Sequence, residues 1–110
     1  MSPDVVASLE ALLAKGQDSA VLRFSLGSAL ANRKLPDDAA VHLRRAVEFD
    51  PHYSAAWKQL GRVLTEAGRI ADAIAAYEQG IAAADAKGDV QAGKEMTVFL
   101  KRLRREPPPA

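Results

Sequence analysis

The chain of 110 residues has no cysteine, and only 5% of its residues are aromatic. Without cysteine, neither a disulfide framework nor a catalytic thiolate is available. The scarcity of aromatic residues argues against a β-sandwich, whereas the abundant alanine favours closely packed helices. A net charge of +1 is too small to attract nucleic acid over the whole surface, so no nucleic-acid partner is expected.

Long hydrophobic runs and a recognisable leader are also missing. No apolar stretch approaches the roughly 20 residues that a membrane-spanning helix requires. The N-terminal stretch MSPDVVASLEALLAKG carries Asp4 and Glu10 and lacks the basic start of a signal peptide. We therefore expect a cytoplasmic protein without a membrane partner.

Turn-forming stretches divide the chain into segments with helical spacing. The breaks are KGQDS, RKLPDD, FDPHYS, AGR and AKGD. Between them, apolar residues recur every three or four positions, which predicts an all-α protein. Short loops make consecutive helices antiparallel. The six predicted helices span residues 4–15, 19–32, 36–49, 53–67, 70–84 and 89–104. Residues 105–110 include EPPPA, which cannot be helical, and are predicted to be disordered.

Two glycines, Gly27 and Gly61, lie 34 residues apart in segments that otherwise favour helix. Glycine inside a helix costs roughly 1 kcal/mol relative to alanine, so its recurrence indicates a shared packing requirement. The same offset pairs Leu26 with Leu60, Leu30 with Leu64, Asp38 with Asp72, Ala39 with Ala73, Leu43 with Tyr77 and Val47 with Ile81. A helix–turn–helix unit therefore repeats with a period of 34 residues.

The repeated unit resembles the tetratricopeptide repeat (TPR), with its pattern W-x-x-L-G-x-x-Y followed by A-x-x-x-F. The second unit carries Trp57, Leu60, Gly61, Leu64, Ala73 and Tyr77 at these positions. The first unit carries Leu26, Gly27, Leu30, Ala39, Leu43 and a closing Pro51. Three departures stand out: Arg23 replaces the tryptophan, Gly80 replaces an alanine, and Asp85 replaces the second proline. Without that proline, we expect the fifth helix to run longer.

The resemblance implies one TPR domain over residues 1–104, built as an α-α superhelix or solenoid. The repeats would occupy residues 20–53 and 54–87. Two units are fewer than the three that a stable stack usually needs, so the flanking helices are predicted to act as caps. The N-terminal cap would be residues 4–15 and the C-terminal cap residues 89–104.

No combination of residues predicts catalysis, a metal site or a cofactor. His42 and His52 are the only histidines; neither has an acidic or histidine residue three or four positions after it, and both are interpreted as solvated. Asp37 and Asp38 suit the positive end of a helix better than an acid–base pair. The basic end KRLRRE, residues 101–106, could bind nucleic acid or acidic lipid, but stabilisation of a helix C-terminus is the preferred interpretation.

The predicted binding site follows from the resemblance, because the first helix of each TPR pair lines the concave side of the solenoid. The predicted partner-binding residues are Phe24, Ser28, Asn32, Lys58, Gln59, Arg62 and Thr65. Lys58 and Arg62 lie one turn apart and are predicted to hold a carboxylate of an acidic peptide, although a purely solvated basic face is the alternative. Phe24 is either an aromatic anchor for a partner or a packing residue against the first helix.

The predicted function is a non-enzymatic interaction module or adaptor that binds a protein or peptide in the concave groove. The alternative is a self-assembling structural subunit that forms a homodimer through the terminal helix face of Met96 and Phe99 or through an uncapped edge of the solenoid. A monomer or a weak homodimer is therefore expected.

Overall fold

The computed structural model describes residues 4–105, which contain helices and turns but no strand. The helices in this range are α1 (Val5–Ala14), α2 (Ala20–Asn32), α3 (Pro36–Phe49), α4 (Ser54–Glu66), α5 (Ile70–Lys87) and α6 (Val90–Arg105). The prediction of an all-α fold with six helices is confirmed, and each helix end lies within three residues of its predicted position. Of the tail predicted to be disordered, Arg105 belongs to α6, and residues 106–110 lie outside the described residues.

Side chains at the helix ends explain several of these bounds. Asp4, Ser19 and Asp89 each accept a hydrogen bond from the backbone N–H three residues later, at 3.1–3.3 Å. Helix α5 continues to Lys87 and ends at Gly88, whose φ of 77° is the left-handed conformation that glycine adopts most easily. This agrees with the longer fifth helix expected from the missing proline.

The helices form two layers, and the inner layer lies on the concave side. Helix α4 touches α2 on one side and α6 on the other, so these three lie side by side. Helices α1, α3 and α5 form the outer layer, each packed on its neighbours along the chain. Within residues 4–105, the Cα atoms of one outer helix never come within 8 Å of those of another. Because only the inner helices approach each other, the solenoid curves toward α2, α4 and α6.

The core lies between these layers and is built from the repeated motif. Its largest fully buried side chains include Leu26, Leu43, Leu60 and Leu64. A Cβ atom on Gly27 would lie 2.6 Å from Cγ of Leu43, and one on Gly61 would lie within 2.7 Å of three ring carbons of Tyr77. Since these distances are too short for packed carbon atoms, both glycines are required for the helices of each pair to approach.

Helix α6 covers the apolar end of the second helix pair. Met96 is completely buried, and a Cβ atom on Gly80 would lie 2.7 Å from Cβ of Trp57 and closer still to Sδ of Met96. The Met96 side chain therefore leaves no room for a Cβ atom at position 80, which explains why glycine replaces the usual alanine there. The proposed dimer face is thus corrected: Met96 is buried inside the chain, and Phe99 is partly buried against Tyr77. A homodimer would have to use another surface.

Candidate binding groove

A groove of about 470 Å³ lies on the concave side between α4 and α6. Helix α4 contributes Lys58, Gln59, Arg62, Thr65 and Glu66, helix α6 contributes Glu95, Phe99, Arg102 and Leu103, and helix α5 contributes Tyr77. The groove therefore has two walls that differ in origin. One wall belongs to a repeat, and the other belongs to the C-terminal helix.

On both α4 and α6, the residues that line the groove lie next to buried residues of the same helix. On α6, Glu95, Phe99 and Arg102 recur at intervals of three or four residues, next to the buried Met96 and Leu100. On α4, the groove residues similarly lie beside leucines of the core. The packing that fixes the two helices therefore also fixes the two walls.

The base of the groove is apolar and aromatic. The rings of Tyr77 and Phe99 have centroids 5.7 Å apart and are tilted by 40°. Tyr77 is 3% exposed, and burial raises the pKa of its hydroxyl group, which stays protonated at neutral pH. An aliphatic or aromatic side chain of a ligand would find complementary surface here.

The charged residues of the groove are partly paired with one another. Nζ of Lys58 lies 3.3 Å from Oε2 of Glu95, which joins the α4 wall to the α6 wall. Nε of Arg62 lies 3.5 Å from Oε1 of Glu66 on the same helix, and the Arg62 side chain is 70% exposed. No ion pair between residues of the described range involves Arg102. The two cations predicted to hold a carboxylate are thus in the groove, and each has a carboxylate of this chain beside it.

Only part of the predicted binding set comes together. Lys58, Gln59, Arg62 and Thr65 all line the groove, where the Thr65 hydroxyl donates a 2.8 Å hydrogen bond to the carbonyl oxygen of Gly61. The three predicted residues of α2, namely Phe24, Ser28 and Asn32, do not line it. Their part in binding stays a prediction.

The α2 residues have other surroundings. The Phe24 ring packs against Tyr53, with centroids 5.0 Å apart. The Ser28 hydroxyl is buried and has no hydrogen-bond partner among the described residues. Asn32 is exposed at the last position of α2. This half of the concave side therefore offers an aromatic pair.

Sequence reasoning missed the α6 wall. Its residues Glu95, Phe99, Arg102 and Leu103 are out of register with the 34-residue repeat, so the sequence predicts this helix as a cap or a dimer face and not as a wall of the groove. The available signal was the polar and aromatic face that accompanies Met96 along α6. Its partner surface on α4 could be recognised only once the two helices were placed side by side.

Arg23, at the tryptophan position of the first repeat, forms a separate polar cluster. Its guanidinium donates to both carboxylate oxygens of Asp18, at 2.8 and 2.9 Å, and lies 3.0 Å from Nδ1 of His42. Burial, and then the nearby Arg23 charge, lower the pKa of His42, so its neutral ring accepts this hydrogen bond. The interpretation of His42 as a solvated side chain is wrong. The cluster joins α3 to the start of α2.

Metal-binding clusters and membrane-spanning helices are the two remaining features to consider in the described residues. Within residues 4–105, no group of three or more His, Cys, Asp or Glu side chains is placed to hold a metal ion. None of the helices in that range is both long enough and apolar enough to cross a bilayer.

Known proteins share this architecture. The tetratricopeptide repeat family matches the chain over residues 30–96. TPR repeat-containing protein PA0015 of Pseudomonas aeruginosa is 52% identical over 101 residues, which cover 92% of this chain and 96% of that protein. The solution structure of protein BPP2914 from Bordetella parapertussis has a TM-score of 0.80 at 48% identity, and the match covers 96% of this chain and 90% of that chain.

A more distant likeness extends the comparison to the fold alone. The crystal structure of YrrB, a TPR protein with an unusual peptide-binding site, has a TM-score of 0.63 at 21% identity. The match covers 92% of this chain and 59% of YrrB. The repeated motif, the two helical layers and the family match over more than half of the residues agree, and this chain belongs to the tetratricopeptide repeat family.

Proposed function

We propose that this protein is an interaction module that binds a peptide segment of a partner protein in the groove between α4 and α6. TPR domains generally mediate protein–protein interactions. The observation that carries the proposal is the groove itself, which combines cations on both walls with an aromatic base. In this proposal the protein is a cytoplasmic adaptor without catalytic activity.

The groove suits a peptide for two physical reasons. The partly exposed side chains of Phe99 and Leu103, with the buried Tyr77 ring behind Phe99, offer apolar area for one side chain of the ligand, which supplies affinity. Lys58, Arg62 and Arg102 offer charge-assisted hydrogen bonds to carboxylates, which supply orientation. The peptide-binding site of YrrB supports this mode by analogy of fold only.

Site-specific photocrosslinking tests the proposal. Gln59 lines the groove on α4, and Val41 is 59% exposed on the outer helix α3. A photoreactive amino acid at position 59 should crosslink a partner in a lysate of the source cells, whereas the same amino acid at position 41 should not. Equal capture at both positions, or capture at position 41 alone, would contradict binding in the groove.

A second proposal, weak self-association, is favoured by an apolar surface between α5 and α6. Val90 and Val98 are 66% and 53% exposed there, beside the partly buried Ile81. Exposed apolar surface of this kind often marks an interface. Light scattering at high micromolar concentration checks it: a mass that stays monomeric with increasing concentration would remove this proposal and leave the peptide groove unaffected.

A further inference from the structure

The ion pair between Lys58 and Glu95 links the two walls of the groove. Lys58 belongs to α4 and Glu95 to α6, and both residues line the same cavity. Their charged atoms are 3.3 Å apart, and their side chains are 34% and 37% exposed. The carboxylate of Glu95 therefore occupies one of the positions from which a carboxylate of a ligand could accept a hydrogen bond from Lys58.

This pair is replaceable. A partly exposed ion pair contributes little to stability, because water solvates both charges well when they separate. The ammonium group of Lys58 has three donors, and Glu95 is its only hydrogen-bond partner within residues 4–105. A carboxylate from outside can therefore take the place of Glu95 with little loss to the fold.

The remaining charges indicate what else the ligand carries. Arg102 lies on the α6 wall, across the aromatic base from the basic residues of α4. Phe99 lies one turn after Glu95 on the same wall, so the apolar area is flanked by cations from both helices. A segment that fits this order has an apolar side chain with carboxylates on either side.

We infer that the groove takes an acidic segment with a central apolar side chain, and that Glu95 occupies the Lys58 end of the groove until such a segment replaces it. The inference rests on the proposed function and specifies its ligand class. Glu95 is thus an internal competitor, and removing its charge strengthens binding.

Fluorescence anisotropy with a defined peptide tests this inference. The probe is a fluorescein-labelled octapeptide with one phenylalanine between two pairs of glutamates, and its control replaces every glutamate by glutamine. E95Q removes the competing charge while keeping the side-chain shape, and should bind the acidic probe about three- to fivefold more tightly than the wild type. R102Q should weaken the acidic probe and leave the glutamine probe unchanged.

The matched control for E95Q is E10Q. Glu10 is exposed on α1, outside the groove, and its substitution changes the net charge by the same amount. E10Q should bind as the wild type does, and circular dichroism should show that all variants are folded.

Several results would overturn the inference. These are equal binding by E95Q and the wild type, equal tightening by E95Q and E10Q, equal affinity for the two probes, or no binding of the acidic probe. None of them removes the proposed function, which the crosslink at position 59 decides separately.

Discussion

Three glycines inside helices show how single residues set the distance between elements. Gly27 and Gly61 face the side chain sixteen residues later in the same repeat, and Gly80 faces Met96 across the repeat boundary. Sequence periodicity predicted a close approach at the first two, because both occur at the same position of the motif. The role of Gly80 was not predictable, because Met96 belongs to a helix that does not follow the repeat.

At this scale we predict opposite effects for two alanine substitutions. Gly61→Ala should lower the free energy of unfolding by about 1–3 kcal/mol, because the new methyl group overlaps the buried Tyr77 ring. Gly93→Ala is the control, since its Cβ atom would lie 3.6 Å from Cβ of Ala84, which is ordinary contact. Its better helix propensity should leave stability unchanged or raise it by up to about 1 kcal/mol.

Chemical denaturation of the two variants and the wild type measures both effects. Equal stability of G61A and the wild type would show that the helices separate easily, and would remove the close-approach explanation of the repeated glycine.

At the scale of elements, the packing of the two repeats could be predicted from the sequence, whereas the part that α6 takes in the groove could not. The pairs α2–α3 and α4–α5 repeat the same contacts, so period and motif together were sufficient to predict their packing. The prediction of a last helix is confirmed by α6, which packs against α4 and α5. Its second role was missed, because the Lys58–Glu95 contact joins residues 37 positions apart and depends on how α6 lies beside α4.

The start of α6 is attached to the start of α4 through one carboxylate. The hydroxyl of the buried Ser54 donates a 2.7 Å hydrogen bond to Asp89, which also accepts from the backbone N–H of Ala92. The hydrogen bond from Ser54 is the main reason why the pKa of Asp89 lies below its ordinary value of 3.8, and the hydrogen bond from Ala92 lowers it further. The charged form is therefore favoured in the folded chain.

This attachment predicts a specific dependence of stability on pH. Because the folded-state pKa is lowered, Asp89 contributes stability above its unfolded pKa, and this contribution disappears as pH falls through the folded value. The wild type should therefore be more stable than D89N at pH 7, and the difference should shrink toward pH 3. Asparagine keeps one oxygen that can cap the helix at Ala92, but it replaces the charged acceptor of the Ser54 hydrogen bond by a neutral amide.

Thermal melts at both pH values give the measurement. S54A serves as the second variant, because it removes the main cause of the lowered pKa and should reduce the pH-dependent difference. If the difference in melting temperature between the wild type and D89N stayed constant from pH 7 to pH 3, the role of the Asp89 charge would be contradicted.

At the scale of the whole molecule, the stability of each helix in the solenoid depends on its contacts with neighbouring helices. Among the described helices, only α2 has Cα atoms within 8 Å of those of α1, and Val6 is the one buried residue of α1. Helix α6 contacts both α5 and α4 and buries Ala92, Met96 and Leu100. In such an array each unit depends mainly on its neighbours, so the two caps should differ in stability and respond independently.

Native-state hydrogen exchange with two cap variants tests this independence. In the wild type, amides of α1 should exchange faster than those of α4 and α5, because little apolar area holds α1 in place. Val6→Ala should speed exchange in α1 and leave α6 unchanged. Met96→Ala should destabilise α5 and α6 by about 2–5 kcal/mol, because it empties a fully buried site, and should affect α1 less. If both variants instead exchanged their amide hydrogens faster along the whole chain, the solenoid would open only as a single cooperative unit. In that case the groove could not open at α6 without unfolding of the first repeat.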